Sequence, residues 1–179
     1  VPRKLDVETF LLGPETTRRR ELGYGILREP PAPFFPHQRI VTRLAAVLDT
    51  HVRQRALGSV CVAPVDVILD AKLGVVAQPE VVFISAARLD MVRNQIWGPP
   101  DLVVEVLSAG TARFDRSAKL DWYRRYGILE YWMVDPDSWN IEVVDCPGPD
   151  SARVFTEETT LRSVVLPRLR LRVARVFED

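Results

Sequence analysis

Residues 101–108, DLVVEVLS, decide how the chain is read. The β-branched run marks a buried strand, and Glu105 stands in the middle of it. An unpaired carboxylate buried there would cost several kcal/mol of desolvation. Alternation along a strand places Asp101, Val103, Glu105 and Leu107 on one face and Leu102, Val104 and Val106 on the other. Asp101 and Glu105 therefore point the same way, but four residues at about 3.3 Å each separate them by about 13 Å, too far to share one ion. A partner for Glu105 must come from a neighbouring strand.

Working outward, QPEVVFIS (78–85) supplies that candidate in Glu80, which follows a proline at the start of a strand. Residues 86–100 are long enough to bring the two strands side by side. Paired carboxylates at a sheet edge suit a divalent cation such as Mg²⁺, which takes one or two protein carboxylates and fills its octahedron with water and phosphate oxygens. On the other side, DRSAKLDWYRRYG (115–127) reads as a helix with Asp115 as N-cap and Gly127 as its stop. Lys119 lies in its first turns, aligned with Tyr123 four residues on. Of the 24 basic residues 21 are Arg, so each of the three lysines, Lys4, Lys72 and Lys119, raises the question of why an ammonium was needed.

The rest of the chain supplies the frame. Residues 5–12 read as a short helix, and the stretch 36–56 as an amphipathic helix whose apolar positions Ile40, Leu44, Val47, Leu48 and Val52 recur every three to four residues. SVCVAPVDVILD (59–70) reads as strand, EYWMVDP and SWNIEVVDC as an antiparallel pair, and the C-terminal part as one or two short strands and a tail. The expected fold is α+β, a mixed central sheet flanked by helices, in one domain spanning residues 1–179.

Composition removes several classes of function. No apolar run approaches the roughly 18 residues of a membrane span, and the N-terminal stretch lacks a secretory signal, so a cytoplasmic location is expected. Two cysteines and two histidines without CxxC or HxxxH spacing argue against a zinc site or a disulfide framework. Neither GxSxG, GxGxxG nor GxxxxGK[ST] occurs. With a net charge of zero, any polyanion would have to be met by a local patch.

QPEVVFIS, PHQRIVTRLAAVL (36–48) and the block 98–144, with its E-x-x-S, D-R-x-x-K and E-Y-W-x-V-D-P elements in order, resemble the Uma-type family of restriction-endonuclease-like proteins in the PD-(D/E)xK nuclease superfamily. The resemblance covers most of the chain. It implies a nuclease fold, a Mg²⁺ (or Mn²⁺) cofactor and a nucleic-acid substrate, DNA in the first place. It assigns the two metal-binding acids to Glu80 and Glu105. The motif lysine is expected two residues after the second acid, where this chain has Leu107, and the resemblance implies that Lys119 of the next helix replaces it. Glu80 departs from the usual Asp of the family by one methylene.

Around these, Asp101 is expected to assist from behind the ligands, with a turn acid as its alternative, and Ser108, Arg116 and Tyr123 could meet a phosphate. Loop structure accounts equally for Ser108, a solvated helix face for Arg116 and core packing for Tyr123. His37 reads as a capping or packing residue. A homodimer is expected, because one cleft reaches one strand of a duplex. The competing reading is a non-catalytic interaction module on a nuclease scaffold.

Overall fold

The computed structural model describes residues 4–14, 16–149 and 152–178, so the extreme ends of the expected 1–179 domain lie outside the described residues. In chain order the elements are α1 (Val7–Leu11), β1 (Glu21–Gly23), β2 (Ile26–Arg28), α2 (Phe35–Gln54), β3 (Gly58–Val62), β4 (Val67–Asp70), β5 (Val75–Ala77) and β6 (Val81–Ser85). A 3₁₀ turn (Ala86–Met91), β7 (Ile96–Trp97) and β8 (Leu102–Val106) follow. Then come α3 (Ala112–Phe114), a π-helical turn (Asp115–Lys119), α4 (Leu120–Tyr126), β9 (Glu130–Asp135), β10 (Asn140–Asp145), β11 (Ala152–Thr156), β12 (Thr160–Leu161), β13 (Leu171–Arg172) and α5 (Ala174–Phe177).

The central sheet is mixed, with strand order β11-β10-β9-β8-β6-β3. β8 runs antiparallel to β6 and parallel to β9, the crossover being made by the helical stretch from α3 to α4. Its two faces carry separate cores, as alternation along β8 requires. Leu102, Val104 and Val106 join Leu44, Leu48 and Val52 of α2 and the C-terminal Leu171, Val173 and Phe177. Val103 and Leu107 join Tyr123, Ile128, Tyr131 and Met133 on the opposite side. α2 is helical because its apolar residues fall on one stripe, with Pro36 in the first turn, where its missing N–H costs nothing. α4 ends at Gly127, whose φ of 90° closes a left-handed cap.

The mixed sheet flanked by helices matches the sequence reading, but a second sheet does not. β2-β1-β5-β4-β7 form a five-stranded sheet of two- to four-residue strands. The stretch 59–70 is not one unit: β3 joins the central sheet and β4 the smaller one. The C-terminal part holds three short strands and α5. Asp115 is no N-cap; the helical stretch begins at Ala112, and Asp115 lies inside it with its side chain buried. Among the described residues no helix is long and apolar enough to cross a membrane.

Leu44 and Leu48 are fully buried where α2 meets the central sheet. Leu44→Ala is expected to lower unfolding free energy by about 2–5 kcal/mol in a denaturant titration, the range for a buried Leu→Ala cavity. The exposed neighbour change Thr50→Ala should stay within about 0.5 kcal/mol.

Candidate active site

The antiparallel register of β6 and β8 pairs Val81 with Val104 and Val82 with Val103. Carried one residue further, it sets Glu80 opposite Glu105 on the same face. Both are buried, at 3% and 1% exposure. Glu80 accepts a hydrogen bond from the Val106 N–H at 2.9 Å, which fixes one oxygen at the sheet edge. Lys119, itself 2% exposed, donates to Glu105 Oε1 at 2.6 Å. Tyr123, one turn on, donates to the same oxygen at 2.9 Å. Helical spacing thus delivers an ammonium and a phenol to one carboxylate.

Two groups from the smaller sheet complete the cluster. Glu21, at the start of β1, lies 2.7 Å from the Lys119 ammonium and accepts from the Gln78 N–H at 3.1 Å. Arg19, just before β1, bridges the pair: one amino group bonds Glu80 Oε1 and the other lies 3.3 Å from Glu105 Oε2. Asp115 stands 3.6 Å from Lys119. His37, in the first turn of α2, has Nε2 2.9 Å from the Val106 carbonyl and 3.7 Å from Glu80 Oε1. A carbonyl only accepts, so Nε2 carries the hydrogen. These side chains line a cavity of about 390 Å³, whose outer wall is made by Pro30, Pro31, Pro33 and Phe34.

Four acids and two strong bases in so dry a place divide the protons unevenly. Burial, then the negative charge of Glu105, pushes Glu80 up to about 8. Burial acts on Glu105 in the same direction, but the Lys119 and Arg19 charges and the bonds from Lys119 and Tyr123 outweigh it and hold Glu105 below the usual carboxylate range. Burial and then Glu105 raise Asp115 to about 6. For Lys119, burial opposes the charged form, yet the surrounding carboxylates hold it above its ordinary value, so the ammonium persists. Burial keeps His37 neutral by lowering its pKa.

The structure therefore brings together Glu80, Glu105, Lys119 and Tyr123, and Ser108 lines the same cavity. It does not bring in Asp101. That carboxylate sits at the other end of β8, salt-bridged to Arg88 at 2.8 Å and accepting from the Ser85 N–H at 2.7 Å, which fits the turn-acid alternative. Arg116 also points elsewhere, paired with Glu142 and with Asp135 at 3.2 Å. Arg19 and Glu21 went unread in the sequence. The one signal for Glu21 was an acid directly after three arginines; for Arg19 there was none to choose it from Arg18 and Arg20.

A metal fits this donor set in part. Among the described residues no three His, Cys, Asp or Glu side chains converge to hold an ion by themselves. Mg²⁺ needs only one or two carboxylates. Glu80 and Glu105 face each other as such a pair, but the Arg19 guanidinium fills the space between them. The pair suits a divalent cation once Arg19 withdraws.

Comparison with known proteins follows the same line. The sequence pattern of the Uma2 family, described as "Putative restriction endonuclease", matches residues 7–174. Among solved structures, a crystal structure described as a "putative nuclease belonging to DUF820" from Anabaena variabilis ATCC 29413 superposes with a TM-score of 0.84 at 19% identity, covering 97% of each chain. At that identity the likeness is one of fold. No curated protein matches the chain.

The proton distribution sets a pH dependence. Glu80 and Asp115 hold protons in the folded chain that the unfolded chain releases near 4.5 and 3.8, so their contribution to stability falls as pH rises from about 4 to about 8. Glu105 acts oppositely, its contribution being present above the ordinary value and lost as pH falls through its lowered one. The thermal midpoint of metal-free protein should fall between pH 5 and pH 8, and Glu80→Gln should flatten that fall. An unchanged slope in the variant would mean that Glu80 is ionised when folded.

Proposed function

The chain belongs to the Uma2 family, and from that membership and the buried charge cluster we propose that it is a metal-dependent endonuclease hydrolysing phosphodiester bonds in DNA. One observation carries this reading: two carboxylates facing each other across adjacent strands, one of them bonded to a buried lysine, open into a single cavity. Such an arrangement is expensive as mere structure and useful as a cation and phosphate site.

Glu80 and Glu105 would hold Mg²⁺ or Mn²⁺. When bound, such an ion polarises the phosphodiester and lowers the pKa of its water. Lys119, charged at any physiological pH, supplies positive charge beside Glu105 for the phosphate oxygens as they gain charge. Tyr123 fixes the Glu105 carboxylate from behind, which makes it a positioning residue. Ser108, which lines the cavity wall, would meet the substrate backbone. We assign the described chain to one nuclease-like domain, and a symmetric pair of copies would present two clefts to a duplex.

A second reading, a non-catalytic module on the same scaffold, is favoured by Arg19, whose guanidinium already bonds both carboxyl groups. The two diverge in the test. Calorimetry with Mg²⁺ or Mn²⁺ should show binding to wild type and loss of binding in Glu105→Gln. On supercoiled, linear and single-stranded DNA, cleavage should appear with metal and vanish with chelator. Lys119→Arg should lower the rate by about 10² or more while metal affinity persists, since a planar guanidinium does not fit the ammonium's contacts. Arg19→Ala should bind metal more tightly than wild type, because a competing cation has been removed. Absence of both metal binding and cleavage in wild type and Arg19→Ala alike would sink the enzyme reading.

A further inference from the structure

The net charge of zero hides a strong segregation of charge. Between Glu158 and Glu178 there is no acid, while Arg162, Arg168, Arg170, Arg172 and Arg175 all fall there. Between Glu29 and Asp66 the only acid is Asp49, against Arg39, Arg43, Arg53 and Arg55. The fold brings these two segments together. His51 of α2 lies with Nε2 3.1 Å from the Pro167 carbonyl, and a groove of about 590 Å³ opens between the C-terminal half of α2 and the chain around β13. Arg55, Arg168, Arg170 and Arg175 line it together with Thr50 and Gln54, and no acid does. All four arginines are exposed. Asp49, the one acid within α2, is taken by Arg53 at 3.7 Å, and Glu178 follows Arg175 by three residues without lining the groove.

We propose that this groove is a docking surface for the phosphate backbone of a nucleic acid, separate from the cleft; the inference rests on the nucleic-acid reading above. Three observations argue for that occupant. The guanidiniums are mounted on a fixed segment, since Leu169, Leu171 and Val173 are buried while Arg168, Arg170 and Arg172 between them are exposed. Arg170 and Arg172 flank Leu171 where the chain enters β13, and residues two apart on an extended chain are about 6.7 Å apart, close to two 3.4 Å steps of a duplex strand; Arg168, at φ 64°, is set on the turn before them. The planar fork of Arg is also the side chain suited to bidentate phosphate contact.

A membrane surface fits less well. Such a surface carries large apolar side chains for insertion, and the large exposed ones, including Phe34 and Phe35, do not line this groove. His37 lines the cleft and Gln54 the groove, 17 residues along one helix. At 1.5 Å per residue they are about 25 Å apart, the length of about 7 base pairs. The groove therefore holds a substrate beyond the reach of the metal ligands and supplies the local basic patch that a neutral chain requires.

The test is fluorescence anisotropy of a labelled 30-base-pair duplex across a salt series, in chelator, so that cleavage plays no part. The triple variant Arg168→Ser, Arg170→Ser, Arg175→Ser should bind at least about 10-fold more weakly than wild type at 0.1 M salt. Its slope of log K against log salt should be shallower by about 2 to 3, at about 0.9 for each phosphate no longer neutralised. Circular dichroism and thermal melting of the triple variant show that it is folded, and Arg113→Ser with Arg125→Ser serves as a charge-removing control away from the groove. Duplex affinity and slope equal to wild type in the triple variant, or equally reduced in the control, would overturn the proposal. So would a wild type that does not bind the duplex, or a loss confined to phosphatidylserine vesicles. Duplex binding that follows the groove while no variant or metal gives cleavage would leave the docking surface standing and remove the enzyme reading alone.

Discussion

One carboxylate organises this molecule. Glu105 is buried in the central strand of the central sheet, ionised, and the elements around it supply what an ion there requires. The helical stretch after β8 delivers Lys119 and Tyr123, the segment before β1 delivers Arg19, and β6 delivers the facing acid, Glu80. Lys119 in turn needs more than one counter-charge, and Glu21 and Asp115 provide it. The small sheet, the central sheet and the helix are thereby tied to one point. Replacing such a cluster with well-packed apolar residues is often neutral or stabilising, so its presence argues for a use other than holding the fold together.

Which parts of this could be read in the sequence follows from the range of the signal. Glu105 was legible because a charge in an apolar run breaks a local pattern, and Glu80 because an acid after a proline opens a neighbouring strand; the antiparallel register that sets the two opposite each other came from the structure. Lys119 stood out only against a background of arginine. Asp101 shares a face with Glu105, and alternation could not say that Arg88 would claim it. Brief strand-like pieces are legible in TRRRELGYGILREPPAPFFP (17–36), but their assembly with β4, β5 and β7 into one sheet escaped, because strands of two to four residues carry no periodicity. Asp115 looked like a cap because it is the acid that opens the D-R-x-x-K run, whereas the helical stretch begins three residues earlier, at Ala112, with Thr111 in the cap position.

Arg19 illustrates the limit more sharply. Three arginines in a row give no local reason to choose one, and what selects the middle residue of Arg18–Arg20 is a pair of carboxylates 61 and 86 residues away. Its contacts also explain why an acid of glutamate's length stands at position 80. The Glu80 carboxylate reaches the Val106 N–H with one oxygen and Arg19 with the other. An aspartate at the same backbone position would draw its oxygens back by more than about 1 Å, beyond the tolerance of either hydrogen bond. The longer acid and the arginine thus form a matched pair. A cation entering between Glu80 and Glu105 would have to replace a guanidinium already bonded to both, so on the proposed metal-dependent reading the occupancy of this site would be set by competition between two positive charges.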